Sequence, residues 1–275
     1  TGGHGDQRGP GEDTEPCRCV HGLGVVCDGV PEVRKACRDE IRKGAHVIKL
    51  MVSGGVASPC DRIDSTQFSE EEIRAAVEEA EAANIPVMAH AYTARAINRA
   101  LVCGVRSIEH GNLLDDTSLA LFQQTGAFLV PTLATYHALS AEGLQNGMPK
   151  DQHKKVSKVL DAGMDALKRA QEAGVKIAYG TDLLGDMHRH QLSGLAIHAR
   201  AQPLADVLRS ATSHAAALLG FEASLGTVSI GATADLLVVD GDPLKDIGVL
   251  QKPDEKLLMV MKGGTLYKNL LGRSH

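Results

Sequence analysis

Apolar positions from Pro31 to Lys43 fall at helical spacing, and Ala45-His46-Val47-Ile48-Lys49-Leu50-Met51-Val52 is a short, mostly apolar run rich in strand formers. The spacing predicts one helix followed by one buried strand. The pattern then repeats. Ser69 with Glu72 three residues on forms a capping-box signature for a helix to about Ala83, and Ile85 to His90 reads as the next strand. Further units pair a helix near Ala94–Val102 with a strand at Arg106–His110, and a helix near Asp116–Gln124 with a strand at Ala127–Pro131. A longer polar helix from about Asp151 to Ala173 precedes Val175–Gly180, and helical sequence fills Gln191 to Leu219.

Buried strands alternating with amphipathic helices predict an α/β fold with a parallel sheet. No G-x-G-x-x-G follows a strand, so a partial (β/α)8 TIM-like barrel of about five βα units suits the spacing better than a dinucleotide-binding sheet. Five units cannot close an eight-stranded barrel. Roughly three strands lie upstream, or the sheet is open, or a second chain supplies the rest. After Gly226 the texture changes to short β-like runs at Gly226–Val228, Ala234–Asp240, Leu257–Met261 and Thr265–Lys268, with a Gly263-Gly264 turn. The expected organisation is a barrel over 1–222, incomplete at its N-terminus, and part of a small C-terminal β-sandwich over 223–275.

Composition narrows the partners. A formal net charge of -5 with interspersed signs gives no basic stripe for phosphate, so nucleic acid is not expected, and a small molecule is. No apolar run reaches the roughly 18 to 20 residues a membrane span needs. The six cysteines form no C-x-x-C pair and read as free thiols in a reducing cytoplasm. The chain opens without Met in a Gly-rich polar segment, the texture of an internal stretch of a longer protein.

In barrels of this kind chemistry sits at the C-terminal ends of the strands. Four strand ends carry metal-ligand types: Lys49, His90, His110 and Asp182. A lone strand-end His is commonly a hydrogen-bonded core residue and a lone Asp a helix cap, but four at successive strands point to a metal centre. A lysine in an apolar strand needs a partner if buried. Either carbon dioxide converts its amine to a bridging carbamate, or it pairs with a carboxylate. Tyr92, two positions after His90, shares that histidine's strand face. Tyr136 and His137 lie beyond the strand ending at Pro131, and His188 and Arg189 lie beyond Asp182. An Arg fork with His or Tyr donors suits a substrate carboxylate, and His4 is placed with this group.

Together these residues resemble the amidohydrolase superfamily, in its branch of Xaa-Pro dipeptidases and ochratoxinase-like enzymes. The resemblance rests on Thr1-Gly2-Gly3-His4-Gly5-Asp6, Val47-Ile48-Lys49 with Ser53-Gly54-Gly55, Ala89-His90-Ala91-Tyr92, Ile108-Glu109-His110-Gly111, Pro131-Thr132-Leu133 and Gly180-Thr181-Asp182, in that order. The tail motif Ala234-Asp235-Leu236-Leu237-Val238 fits as well. It implies two divalent metal ions, expected to be zinc, with Lys49 as the carboxylated bridge and His90 and His110 on one metal. Asp182 would bind the other and carry a proton. One departure stands out: the H-x-H strand that the superfamily places first is absent before Lys49, and His188-Arg189-His190 spells H-x-H only after Asp182.

The implied activity is hydrolysis of a peptide or amide bond in a substrate with a free carboxylate, an Xaa-Pro dipeptide or an N-acyl amino acid. A cyclic-amide hydrolase resembling imidazolonepropionase is the alternative enzyme. An inactive barrel fragment, held by a partner chain or by self-association as a homo-oligomer, is the alternative without catalysis.

Overall fold

A computed structural model describes residues 1–15 and 24–272. Cys17, Cys19 and His21 therefore lie outside the described residues, whereas Cys27, Cys37, Cys60 and Cys103 are free thiols.

Helix α1 (Gly29–Arg42) leads to strand β1 (Ile48–Met51), and the predicted alternation follows: α2 (Glu70–Ala82), β2 (Val87–Thr93), α3 (Ala94–Val102), β3 (Ser107–Leu113), α4 (Asp116–Thr125) and β4 (Phe128–Val130). The capping box at Ser69 and Glu72 is formed. The strands make a parallel sheet in the order β1-β2-β3-β4, with β5 (Lys176–Ile177) fifth. Ile48, Leu50, Val87, Ala89, Ile108 and Leu129 bury the apolar side of these strands, whereas β3 also buries the polar Ser107, Glu109, His110 and Asn112.

Between β4 and β5 stand α5 (Leu133–Glu142) and the long α6 (Lys150–Glu172). Helix α5 has no counterpart in the predicted pattern. Its Leu133, Ala134, Tyr136 and Ala138 are all buried, so its apolar residues do not mark out one stripe. Helix α6 packs on β3, where Asn112 Nδ2 donates to the Val159 carbonyl at 2.8 Å. Strand β5 is shorter than the expected Val175–Gly180. Instead of one helical segment over Gln191–Leu219 there are α7 (Ser193–His198), α8 (Leu204–Ala211) and α9 (Ser213–Leu218), preceded by a 3-10 turn over Gly185–His190. Pro203 immediately precedes α8, a position where its missing N–H harms no helical bond.

The tail forms an antiparallel sheet of β6 (Leu236–Val239), β7 (Leu257–Lys262) and β8 (Thr265–Asn269), with helix α10 (Pro253–Lys256) before β7. Gly263 and Gly264, at φ 55° and 77°, make the hairpin turn. The expected strand at Gly226–Val228 does not form: Gly226 takes φ 72°, Val228 is 86% exposed, and no ladder bond holds the run.

The chain separates into two compact units. One holds Thr1–Pro131 and Tyr136–Lys176, and the other Thr132–Thr135 and Ile177–His275. The core of the first includes Val56, Tyr92, Tyr136, Val156 and Val159. The second is built around Leu195, Val207 and Ile247.

Candidate active site

Parallel pairing sends the C-terminal ends of β1, β2 and β3 to one edge of the sheet. Registers Lys49↔Met88, Met51↔His90 and His90↔Glu109 put Lys49, Met51, His90 and Glu109 on one face, and Tyr92 joins them by alternation. The His90 ring meets Tyr92 edge-on at 4.8 Å and His110 at 4.6 Å, and Tyr136 donates from its hydroxyl to that of Tyr92 at 2.9 Å.

His110 follows Glu109 in β3, so strict alternation would turn it to the opposite face. Its backbone instead takes φ 77°, and Gly111 follows at 64°. A left-handed residue inside a strand breaks the alternation and brings the ring to His90. Only four described residues other than glycine take positive φ, among them His110 and, at 52°, Asp182. Such strain is characteristic of functional positions.

The loop after β1 closes over these rings. His90 Nε2 lies 3.0 Å from the Gly54 carbonyl, which only accepts, so this nitrogen carries the proton and the lone pair sits on Nδ1. Ser53 Oγ accepts from the Tyr92 amide at 2.9 Å. His4 stacks on His90 at 4.2 Å, its amide donating to Gln67 Oε1 at 2.9 Å. Gly55 has to lack a side chain, because a Cβ there would stand 2.1 Å from His4 Nδ1.

Burial holds the His90 and His110 imidazoles far below their ordinary pKa; repulsion from His110 adds to this at His90, and the Lys49 ammonium does so at His110. Both are neutral near pH 7. His4 is also lowered, chiefly by burial, against the pull of Asp61. The desolvation argument made for Lys49 does not apply to this structure: the residue is exposed, alternating with buried Ile48 and Leu50 on the first strand of the sheet.

Thus His4, Tyr92, His90 and His110 are brought into ring contact, and the Lys49 charge reaches them. His137 is half-buried on α5. Asp182, His188 and Arg189 are exposed residues of the second unit, where Arg189 donates to the Asp186 carbonyl at 2.6 Å. Sequence reasoning missed Ser58, Asp61 and Lys155. Lys155 donates to the carbonyls of Ser58 and Asp61 at 3.1 and 2.7 Å, anchoring the loop to α6. Ser58 and Asp61 lie in a loop with no periodicity to announce them, and Lys155 is one of several lysines on the polar helix α6.

Two buried, neutral imidazoles in edge-to-face contact have the chemistry a divalent cation selects, so the donors fit a metal. Among the described residues no three His, Cys, Asp or Glu side chains converge as a complete cage.

Residues 13–267 match the amidohydrolase family. The chain is 36% identical to ochratoxinase of Aspergillus niger over 251 residues, covering 90% of this chain and 52% of that protein. A crystal structure of a prolidase complexed with N-methylphosphonate-L-proline superposes with TM-score 0.94 at 50% identity, covering 98% of this chain and 66% of that one. A Xaa-Pro dipeptidase with bound methionine in its active site gives TM-score 0.82 at 33% identity, covering 88% and 59%. The chain thus spans about half the length of the curated relative it matches.

Proposed function

The chain belongs to the amidohydrolase family, and from that premise we propose that it hydrolyses a peptide or amide bond in a small substrate with a free carboxylate, an Xaa-Pro dipeptide or an N-acyl amino acid. The observation that carries this is the buried, neutral His90–His110 pair at the C-terminal edge of a parallel sheet. Likeness to a prolidase and to a Xaa-Pro dipeptidase supports the dipeptide class. We read the parallel sheet as part of a (β/α) barrel over 1–222 and the tail, 223–275, as part of a small β-sandwich. The four free thiols accord with a reducing cytoplasm.

His90 and His110 would hold one divalent ion and Asp182 a second, with Lys49 as a carbamate ligand to the pair, and zinc is the metal we expect. Such an ion supplies water activation and carbonyl polarisation. The chain's own groups do the rest. Burial keeps both imidazoles as lone-pair donors. Asp182 takes a proton from the attacking water and returns it to the departing nitrogen, ordinary general base and acid work. The Tyr92 ring walls the site beside His90 and His110. Arg189, His188 and His137 are assigned to the substrate carboxylate.

The test measures bound metal by elemental mass spectrometry after dialysis, alongside turnover of Xaa-Pro dipeptides, N-acyl amino acids and ring amides. About two zinc-like ions per chain, lost in His110→Ala and Lys49→Ala, with cleavage of the linear substrates, is the expected result. Absence of metal and of turnover overturns the proposal, and turnover of ring amides alone moves the substrate to the cyclic class.

A further inference from the structure

Between β1 and α2 the chain winds into a closed loop with oxygen atoms in its interior. The neck is shut by the Gln67 amide on the Val52 carbonyl at 2.7 Å, the Gly54 amide on the Ser65 carbonyl at 3.1 Å and an antiparallel bridge between Ser53 and Thr66. The winding is tight, since a Cβ at Gly54 would stand 1.8 Å from the Arg62 carbonyl oxygen. Gly55, Ser58 and Asp61 are buried in it, and among the described residues no backbone amide donates to the carbonyl of any of the three. A buried carbonyl left without a donor is costly.

The donor comes from outside the loop. Lys155, on α6, brings its Nζ to 3.3 Å from the Gly55 carbonyl, 3.1 Å from that of Ser58 and 2.7 Å from that of Asp61. An ammonium has three N–H groups and accepts nothing, so these carbonyls match its whole donor capacity. Its charge faces the buried Asp61 carboxylate, whose Oδ1 is 3.7 Å away and whose Oδ2 accepts from the Gly55 amide at 2.9 Å and Gln67 Nε2 at 3.3 Å. The neighbouring Lys154 shows what an ordinary lysine of this helix does: it reaches Asp151 at 3.2 Å with both side chains in solvent. A compact cation ringed by backbone carbonyls is how a protein replaces the water shell of a monovalent ion, and here the cation is a side chain.

We propose that Lys155 is a tethered cation filling a monovalent-cation site in this loop, so that a chain lacking the side chain but keeping its space takes up free potassium or methylammonium instead. Through the loop Lys155 is also a positioning residue for the candidate metal site. The Gly54 carbonyl, one residue before the cage, meets His90 Nε2 at 3.0 Å, and Ser53 Oγ accepts from the Tyr92 amide at 2.9 Å. The consequence for the metal rests on the hydrolase reading, whereas the cation site does not.

Thermal melts followed by circular dichroism test the site, on the full chain and its Lys155→Ala and Lys155→Met variants, in tetramethylammonium, potassium and methylammonium chloride at one ionic strength. Tetramethylammonium has no N–H and is too bulky for the cage. The wild-type chain is expected to melt alike in all three salts. Lys155→Ala is expected to melt at least about 4 °C lower in tetramethylammonium, because three buried carbonyls lose their donor, and to recover at least about half of that shift in potassium or methylammonium. Lys155→Met, whose uncharged stem fills the same space, is expected to be destabilised and to recover in neither. If Lys155→Ala is unfolded in tetramethylammonium, refolding on exchange into potassium or methylammonium is the expected result, and failure to refold overturns the proposal. A Lys155→Ala melting temperature equal to that of the wild type, one lowered equally in all three salts, or a wild-type salt response as large as the variant's also overturns it. Zinc affinity is read separately, by elemental mass spectrometry after dialysis against graded free zinc. Lys155→Ala in tetramethylammonium is expected to hold zinc about 10- to 100-fold more weakly than the wild type, with recovery in potassium; unchanged affinity overturns the positioning role. A wild-type chain that binds no zinc refutes the metal reading, and the salt dependence of Lys155→Ala still decides the cation site.

Discussion

Gly111→Ala probes the backbone device that aims His110. Two costs add at this position. Its φ is 64°, where an L-residue pays roughly 1–2 kcal/mol. The new Cβ would also stand 2.5 Å from Leu129 Cδ1, the tip of a side chain with no exposed surface. Forcing a methyl into a filled core costs typically about 1–3 kcal/mol, so the expected loss is about 3 kcal/mol. Gly44→Ala isolates the first contribution: φ there is 91°, with nothing within 4 Å of the added Cβ, and about 1 kcal/mol is expected. Urea unfolding followed by circular dichroism gives both values, with unchanged m confirming that only stability moved. If Gly111→Ala destabilises no more than Gly44→Ala, the close packing of β3 on Leu129 is not what the backbone geometry requires, and the reasoning fails. If it stands, catalysis should also fall by more than the unfolded fraction explains, because the substitution displaces the neighbouring His110.

Further predictions concern the scaffold. Arg34 and Arg38 hold the Glu79 carboxyl at about 2, below its ordinary 4.5, so the native state gains stability above the unfolded value and loses it as pH falls from 4.5 toward 2. Glu79→Gln should abolish that part of the acid sensitivity and cost about 1 kcal/mol at pH 7, since solvent screens the exposed Arg38 and reaches the half-buried Arg34; an unchanged profile of stability against pH contradicts the assignment. Ser69→Ala removes a cap whose hydroxyl accepts from the Glu72 amide at 3.2 Å, and should cost about 1 kcal/mol in a thermal or urea melt. No measurable change there would mean that tertiary contacts alone hold the start of α2.

The parallel sheet was legible because β1, β2 and β4 are short, mostly apolar runs and each strand follows a helical segment, although β3 itself is largely polar. Helix α5 was not, because the interior surrounds its apolar residues and no stripe marks a solvent face. The run at Gly226–Val228 shows the converse error. Thr and Val favour strands, yet a Cβ at Gly226 would collide with the Thr212 carbonyl at 2.5 Å, so the residue serves a close backbone approach that composition does not display.

At the candidate site the difference is between residue type and orientation. His90 and Tyr92 could be placed on one face from alternation alone, and the structure puts their rings 4.8 Å apart. His110 could be named as a ligand type but not aimed, since alternation assigns it to the wrong face and only the left-handed turn at His110-Gly111 reverses that. Lys49 illustrates the same limit from the other side. Its apolar neighbours suggested burial, whereas pleating turns it away from Ile48 and Leu50 to the face it shares with His90, and on the first strand of the sheet it stays exposed. The contacts that hold the loop after β1 were least visible, because Ser58 lies 54 residues from His4 in sequence and Lys155 lies 94 residues from Asp61. Contacts of that range leave no periodic trace. A sequence can announce the atoms that would do chemistry, but the polar partners that hold them in place are brought together by the fold alone.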